Sequence, residues 1–312
     1  MESGWIISSN LEAFLMVKPA EERDINYQYK DISEKNYFLM PFIAKQLGID
    51  STVYYKAVNK DGSSLFLTKN FINEDESIIR GSTIVKGLFN RKSIDLNKLI
   101  EGTNKFIKKH YKKYKLPESD MKEAQKLIRQ GLIKQTVFSK LVFNQNEGNS
   151  LWGLVEGKDH RLRLAPIFNY DYCANVQPTE KKPYRTINKK ETLEDFILHY
   201  SKELWFKEWI EKDLVNLDLN NAQRSMEKKT GISLTDTELE YYNFVIMEKM
   251  HSKVVKISDL DFDQEKVQRN IRKNVGISGL IRRAIPFFKS EVIDFTPPEE
   301  EKENDSENDR ER

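Results

Sequence analysis

The segment LWGLVEGKDHRLRLAPIFN, residues 151–169, decides the overall architecture that the sequence predicts. Its apolar runs 151–155 and 162–164 flank Gly157, Lys158 and Asp159, a pattern typical of a β-hairpin with a tight turn. The hairpin falls after a β-rich first part of the chain and inside a part whose apolar residues recur with helical spacing. The sequence therefore predicts an α+β fold with two lobes and a hairpin near their junction.

Residues 1–90 carry the pattern of a small sheet with one helix. Short apolar runs at 5–8 and 13–17 predict a first hairpin, and the Asn59–Gly62 turn between 52–58 and 64–68 predicts a second. Between them, apolar residues at helical spacing run from Ser33, a favourable N-cap, to Gly48, a favourable helix terminator. We expect these residues to form a β-rich N-lobe.

Residues 91–295 are predominantly helical by pattern. A helix is predicted over 95–111, and another over 119–143 with Ser119 and Asp120 as candidate caps. Further helices are predicted by the same periodicity at 193–202, 206–214, 221–229, 236–250 and 263–274. Residues 296–312 are acidic and almost free of apolar side chains, which predicts a disordered tail.

Composition restricts the class of protein. The 51 Lys and Arg residues nearly balance 49 Asp and Glu residues, so the net charge of +2 does not by itself indicate a nucleic-acid partner. No apolar run approaches the roughly 18 residues that a membrane-spanning helix needs. The single cysteine, Cys173, excludes an intramolecular disulfide framework, and the four His residues show no metal-ligand spacing. We expect a cytoplasmic protein without membrane association.

Three motifs occur in an order that resembles the bacterial HipA-like kinases, a family that includes toxin–antitoxin kinases. They are FLMVKP at 14–19, NQNEGNSLWGL at 144–154 and LAPIFN at 164–169. The resemblance implies a two-lobed protein-kinase-like fold, with residues 1–90 as the N-lobe and 91–295 as the helical C-lobe. It also implies a bacterial origin, and ATP with Mg²⁺ as cofactors if nucleotide binding is retained; otherwise no cofactor is implied.

In this resemblance, Lys18 corresponds to the family's strand lysine, which contacts the nucleotide phosphates. The following helix ends in IAKQLGI (43–49), similar to the family's helix end, and this alignment places the family's helix Glu at Tyr37. Glu34 lies one turn earlier on roughly the same face and is the candidate to orient Lys18. The competing interpretation, which we favour, is a solvated acid in the first turn that the helix dipole stabilises.

The loop motif differs from the family at its catalytic position. The family pattern is Asn-x-Asp-Arg-His-x-x-Asn-Trp-Gly, in which the Asp is the base and the last Asn a metal ligand. Alignment on Trp152 and Gly153 places Asn146 at the base and Leu151 at the metal ligand. Because an amide does not accept a proton as a carboxylate does, Asn146 weakens the predicted activity.

A second alignment of the same loop stays open. If it is anchored on Gly148 and Asn149, then Asn149 keeps the metal ligand and Asn144 occupies the base position. Both alignments put Asn where the family has Asp. Glu147 is the nearby acid that could substitute.

The third motif also ends in Asn169 where the resemblance implies a metal-binding Asp. Its carbonyl oxygen could contact a nucleotide-bound metal, but hard cations are held chiefly by carboxylates. Asp171 lies two residues further on and is a weaker candidate ligand.

These substitutions predict a pseudokinase that acts by protein or nucleotide binding. The first alternative is an active, atypical ATP-dependent Ser/Thr protein kinase that uses Glu147 or Asp171. The partner or substrate protein is not identified by the sequence.

The second alternative is a nucleic-acid-associated regulator. Residues 105–115 contain six Lys residues and interleaved aromatics, and Tyr111 or Tyr114 could stack on bases. The competing interpretation, which we favour, is an amphipathic helix that packs Phe106, Ile107 and Tyr111 inward beneath a solvated lysine face.

Overall fold

The computed structural model describes residues 3–7, 13–17, 30–58, 64–85, 93–142, 152–168, 170, 173–174, 186–187 and 192–248. These residues form a mixed α+β structure, in which small sheets precede and interrupt a set of helices. The predicted tail at 296–312 and the predicted helix at 263–274 lie outside the described residues.

A four-stranded antiparallel sheet is formed by the first part of the chain. Its strands are β1 (Ser3–Ile7), β2 (Ala13–Val17), β3 (Tyr54–Val58) and β4 (Ser64–Lys69), in the spatial order β1-β2-β4-β3. Both predicted hairpins are present, with Trp5 opposite Leu15 in the first and Tyr54 opposite Thr68 in the second. Strand β2 pairs with β4 and joins the two hairpins into one sheet.

Helix α1 (Lys30–Gln46) connects β2 to β3. The prediction that it begins at Ser33 is wrong, because the helix starts almost one turn earlier. The predicted end is correct: Gly48 has a φ of +61°, the left-handed conformation that glycine adopts at low cost. Every residue from Asn36 to Ala44 is buried, so α1 is enclosed on all sides rather than on one face.

The predicted central hairpin is also present. Strands β7 (Gly153–Glu156) and β8 (Leu162–Leu164) pair in antiparallel fashion, and β5 (Ser77–Arg80) adds to the other edge of β7. Gly153 permits close backbone approach, since a Cβ at this position would lie 2.6 Å from the Ile79 carbonyl oxygen. A short helix, α2 (Gly81–Ile84), follows β5, and β6 (Ser93–Ile94) pairs in parallel with β9 (Thr186–Ile187).

Two long helices separate β6 from the hairpin: α3 (Leu96–Lys113) and α4 (Glu118–Leu141). The Asp95 carboxylate caps α3 by accepting from the backbone N–H groups of Asn97 and Lys98. Ser119 and Asp120 do not cap α4, contrary to the prediction. Pro117 occupies the N-cap, where its restricted φ directs the chain into the helix.

The remaining described helices are close to their predicted positions. They are α5 (Leu193–Tyr200), α6 (Leu204–Trp209), α7 (Leu219–Thr230) and α8 (Asp236–Tyr242). Helices α6 and α8 continue as π-helical turns at Ile210–Leu214 and Asn243–Glu248. Helix α1 packs against α7, and α4 packs against α3, α5 and β8. None of the helices in the described part of the chain combines the length and apolarity that crossing a bilayer requires.

Candidate functional site

The resemblance places the candidate site between the end of β2, the start of α1, the loop before β7 and the segment after β8. Among the predicted site residues, Glu34 is described. Those outside the described residues are Lys18, Asn146, Glu147, Asn169 and Asp171. The geometry of the site is therefore defined by the described residues that flank these positions.

Glu34 lies beside a cation from the neighbouring strand. Its Oε2 atom is 4.0 Å from the Nζ atom of Lys56 in β3, and both side chains are partly exposed. A partly exposed pair at this separation contributes about 0–1 kcal/mol to stability. Among the described cations, Lys56 is the one within ion-pair distance of Glu34.

Tyr37, where the resemblance places the family's helix Glu, belongs to the hydrophobic core. Its side chain is 2% exposed, and its ring lies 4.9 Å from that of Tyr54, 5.1 Å from Phe66 and 6.3 Å from Tyr170. We call Tyr37, Tyr54, Phe66 and Tyr170 the aromatic cluster. The Tyr37 contacts with Tyr54 and Tyr170 are edge-to-face, a favourable geometry for aromatic rings. The inward side of α1 at this level is thus apolar.

Hydrogen bonds fix the segment that follows β8 against the aromatic cluster. The hydroxyl of Tyr170 is 2.5 Å from Ser51 Oγ and donates to the carbonyl of Ile167 at 3.1 Å. The Tyr54 hydroxyl donates to the carbonyl of Phe168. Burial raises the pKa of Tyr170 well above its ordinary value, so its hydroxyl stays neutral. The residues on both sides of position 169 are therefore tied to the strand region at 51–54.

Backbone bonds strengthen the same attachment. The N–H of Thr52 donates to Ile167 at 2.9 Å, and the N–H of Ile167 donates to Asp50 at 2.9 Å. This reciprocal pair forms an isolated parallel bridge between Ser51 and Ile167. The chain before β3 and the chain after β8 therefore form one packed unit.

Asn36 joins the first turns of α1 to the C-terminal helices. Its side chain is buried; its Nδ2 atom donates to the Cys173 carbonyl at 2.5 Å, and its Oδ1 atom accepts from the Tyr242 hydroxyl at 2.9 Å. Burial raises the pKa of Tyr242 well above its ordinary value, which keeps this donor protonated. One neutral amide thus connects α1, the segment at 173–174 and α8.

The C-terminal end of α1 is attached in the same way. The Gln46 side chain donates to the Asp218 carbonyl and accepts from the Asp218 N–H, both at 2.8 Å. The Trp209 indole N–H donates to the Leu47 carbonyl at 2.7 Å. Neutral hydrogen bonds therefore hold α1 at Asn36 in its second turn and at its C-terminal end.

The described flanks of the site are held by aromatic packing and neutral hydrogen bonds. Phosphoryl transfer in kinases needs a lysine held by a carboxylate and acidic metal ligands. The inward position of α1 instead supplies the Tyr37 ring. Among the described residues, no group of three His, Cys, Asp or Glu side chains is placed to hold a metal ion.

The sequence pattern did not indicate that Asn36, Trp209 and Tyr242 connect α1 to the C-terminal part of the structure. A polar residue within the otherwise apolar face of α1 was the available signal for Asn36. The two aromatic residues gave no such signal, since buried aromatics at helical spacing are ordinary core residues.

Comparisons with known proteins support the fold. No family model and no curated protein matches this chain. Among solved structures, the chain is similar to the Helicobacter pylori proinflammatory kinase CtkA, with 13% identity, a TM-score of 0.54, and coverage of 88% of this chain and 95% of that chain.

A second similar structure is HipA from Shewanella oneidensis, solved with HipB and operator DNA. The identity is 11% and the TM-score 0.34, with coverage of 87% of this chain and 60% of that chain. The first of these two structures establishes the similarity of fold. The chain has a mixed α+β fold similar to that of a bacterial kinase.

Proposed function

We propose that this chain is a HipA-like kinase-fold protein that acts by binding a protein partner and has lost efficient phosphotransfer. The observation that carries the proposal is the environment of Tyr37. In the position that the resemblance assigns to the lysine-orienting Glu, an aromatic ring is 2% exposed and packed among three others.

The surroundings of Tyr37 are unfavourable for a charged side chain. A carboxylate at this depth would need a cation beside it, because an unpaired buried charge costs several kcal/mol or shifts its pKa until it is neutral. The described part of the aromatic cluster supplies ring surfaces and tyrosine hydroxyls. This favours a structural role for the inward face of α1.

The Asn residues at the two Asp positions of the family also favour a loss of phosphotransfer. Asn146 stands at the base position of the alignment on Trp152 and Gly153, and Asn169 stands at the metal position. Loss of general-base catalysis alone typically costs roughly 10²–10⁴-fold in rate. Loss of a metal-binding carboxylate reduces the neutralisation of the phosphates as well.

The hydrogen bonds of α1 oppose a movement of this helix. A helix that closes onto a nucleotide must be able to shift between two positions. Here the side chains of Asn36, Gln46 and Trp209 form buried or half-buried hydrogen bonds that connect α1 and the adjoining Leu47 to the segment at 173–174 and to the C-terminal helices. A shift of α1 would break these bonds together, which supports a fixed scaffold that presents a surface to a partner.

Thermal unfolding with nucleotide tests this proposal. Wild type, Lys18→Ala and the matched control Lys158→Ala, an exposed turn lysine, are each measured with no ligand, with ATP, and with ATP and Mg²⁺. Because a ligand that binds the native state raises the unfolding midpoint by mass action, binding is detected without any activity. We expect no Mg²⁺-dependent rise in the midpoint and no transfer of labelled phosphate to the chain or to a generic protein substrate.

The contrary result is equally specific. A rise that grows with Mg²⁺, disappears in Lys18→Ala and persists in Lys158→Ala would identify a working nucleotide–metal site. Phosphate transfer abolished by Lys18→Ala would overturn the proposal in favour of the atypical kinase. Changes at Glu147 and Asp171 would then identify its acidic residue.

A further inference from the structure

Helix α3 carries a long face of lysines that the site described above does not use. Five exposed lysines form what we call the lysine face: Lys98, Lys105, Lys108, Lys109 and Lys112. With 3.6 residues per turn, they fall within an arc of about 100° on the helix surface. At a rise of 1.5 Å per residue, the face extends over about 21 Å.

The lysine face is only slightly neutralised by described residues. Glu101 lies within the same arc and pairs with Lys105 at 2.7 Å; the hydrogen bond from Lys105 lowers the pKa of that carboxyl. For the other four lysines of the face, no carboxylate in the described ranges lies within ion-pair distance. Five lysines and one glutamate leave a net charge of +4 on one side of one helix.

The aromatic residues near this face are unsuited to base stacking. Tyr111 is 2% exposed, and its hydroxyl accepts from the N–H of Leu162. The Tyr114 ring stacks on His160 with their centroids 3.6 Å apart. Single-stranded nucleic acid is usually bound by exposed aromatic platforms in addition to cations. The geometry therefore favours an acidic peptide over a nucleic acid as the ligand.

The chain itself contains a peptide of matching charge and length. Residues 299–309 hold seven acidic residues and one lysine, a net charge of −6. An extended run of seven residues, such as 299–305, spans about 23 Å. That length is close to the length of the lysine face.

The connection between the two segments makes a weak contact effective. Residues 249–298 separate the last described residue, Glu248, from the acidic run. These 50 residues are long enough for the acidic run to reach the surface of α3, even with the predicted helix at 263–274 among them. Attachment to the same chain thus gives the acidic run a high effective concentration at the lysine face.

We propose that the acidic segment 299–309 binds the lysine face of α3 in the same molecule. The contact is electrostatic, since lysine ammonium groups meet carboxylates at the helix surface and salt screens them. While the contact holds, the segment covers α3 and competes with any other anionic ligand for it. This inference does not depend on whether the chain binds nucleotide.

A fluorophore on the acidic segment tests the proposal in the full chain. The chain has one native cysteine, Cys173, which is 1% exposed, so Ser306→Cys provides a selectively reactive thiol. Anisotropy of the label is measured at low salt and at about 1 M salt, where the Debye length falls to about 3 Å. The face variant changes Lys105, Lys109 and Lys112 to Glu; the matched control makes the same change in charge at the exposed Lys212, Lys228 and Lys229.

We expect high anisotropy at low salt that falls at high salt, and a fall at low salt in the face variant but not in the control. The value should not change on dilution, because the contact is within one molecule. Equal anisotropy in wild type and face variant, or an equal loss in both variants, would overturn the proposal. Dilution-dependent anisotropy would assign the contact to different molecules and also overturn it.

A labelled oligouridylate provides the decisive competitor. If it binds the wild-type lysine face while the anisotropy of the Ser306→Cys label stays constant, the face serves nucleic acid and the proposal fails. Each variant is first checked by thermal unfolding. Glutamine replacements at the same positions replace any glutamate variant that does not fold.

Discussion

Helices α1 and α3 have nearly the same length, 17 and 18 residues, but contrasting surroundings. Nine consecutive residues of α1 are buried, and its polar side chains Asn36 and Gln46 make neutral hydrogen bonds to distant parts of the chain. Helix α3 buries one face, including Leu99 and Ile107, and exposes a charged one. The first helix is defined by partners from several elements; the second is defined largely by its own sequence pattern.

This difference explains why the two helices support different proposals. In protein kinases, the helix that the resemblance matches to α1 carries a Glu that pairs with the phosphate-contacting lysine. In the described residues, the inward side of α1 at Tyr37 packs against aromatic rings, while the exposed side of α3 carries lysines. The following predictions test the contrast, beginning with the largest expected effect.

Tyr37→Glu tests whether the inward face of α1 accepts a charge. We expect a loss of about 3–5 kcal/mol in the free energy of unfolding at pH 7, because the described neighbours of this position are aromatic rings, which do not compensate a buried carboxylate. The loss should shrink as pH falls, since a protonated carboxyl costs less to bury. Urea unfolding at several pH values measures both effects.

The control for this change is Tyr37→Phe, which preserves the ring and should cost no more than about 1.5 kcal/mol. A Tyr37→Glu protein as stable as wild type would contradict the view that the inward face of α1 excludes charge. It would mean that a cation, with Lys18 as the first candidate, reaches this position.

Asn36→Ala tests the amide that connects α1 to α8. We expect a loss of about 2–3 kcal/mol, because the Tyr242 hydroxyl and the Cys173 carbonyl would each lose a buried hydrogen bond to this amide. Tyr242→Phe removes one of these two bonds and should cost about 1 kcal/mol. If Asn36→Ala unfolds at the same urea concentration as wild type, the junction is not held by this amide.

Arg129 and Glu203 test an ion pair of intermediate exposure. The two guanidinium nitrogens donate to the two carboxylate oxygens at 2.5 and 2.7 Å, and the hydrogen bond from Arg129 lowers the pKa of Glu203. Because the folded pKa lies below the unfolded one, the pair stabilises the protein above the unfolded pKa. That stability is lost as pH falls through the folded pKa.

We expect Arg129→Ala to cost about 1 kcal/mol at pH 7, the discounted value for a pair that solvent partly screens. The same change should reduce the acid sensitivity of stability below the ordinary pKa of Glu. A double-mutant cycle with Glu203→Ala, repeated at pH 7 and pH 3, measures the coupling. An equal coupling energy at pH 7 and pH 3 would contradict the prediction that the pair loses its stabilising effect in acid.

Glu34→Gln should have the smallest effect, within about 0.5 kcal/mol, because its pair with Lys56 is long and partly exposed. Chemical unfolding measures this directly. If the same change also abolished an ATP-dependent rise in the unfolding midpoint, Glu34 would be the residue that orients Lys18, and the scaffold proposal would lose its main support.

The sequence alone determined the secondary structure of most described segments. The hairpins at β1–β2, β3–β4 and β7–β8 follow from apolar runs and turn residues, and α3 follows from its periodicity and its Asp95 cap. These features depend on backbone preferences and on contacts within a few residues, so they can be inferred without the fold. The start of α4 was misplaced because Pro117 outweighed Ser119 as the entry to the helix.

Only the tertiary structure decided which side chains surround Tyr37 and Asn36 in α1. The sequence alignment placed Tyr37 where a charged residue was expected, but the packing around it comes from Tyr54, Phe66 and Tyr170, which lie up to 133 positions away. The partners of Asn36 are 137 and 206 positions distant. Local pattern cannot determine whether a polar or aromatic side chain will be enclosed, because enclosure depends on surfaces that distant segments supply when they pack together.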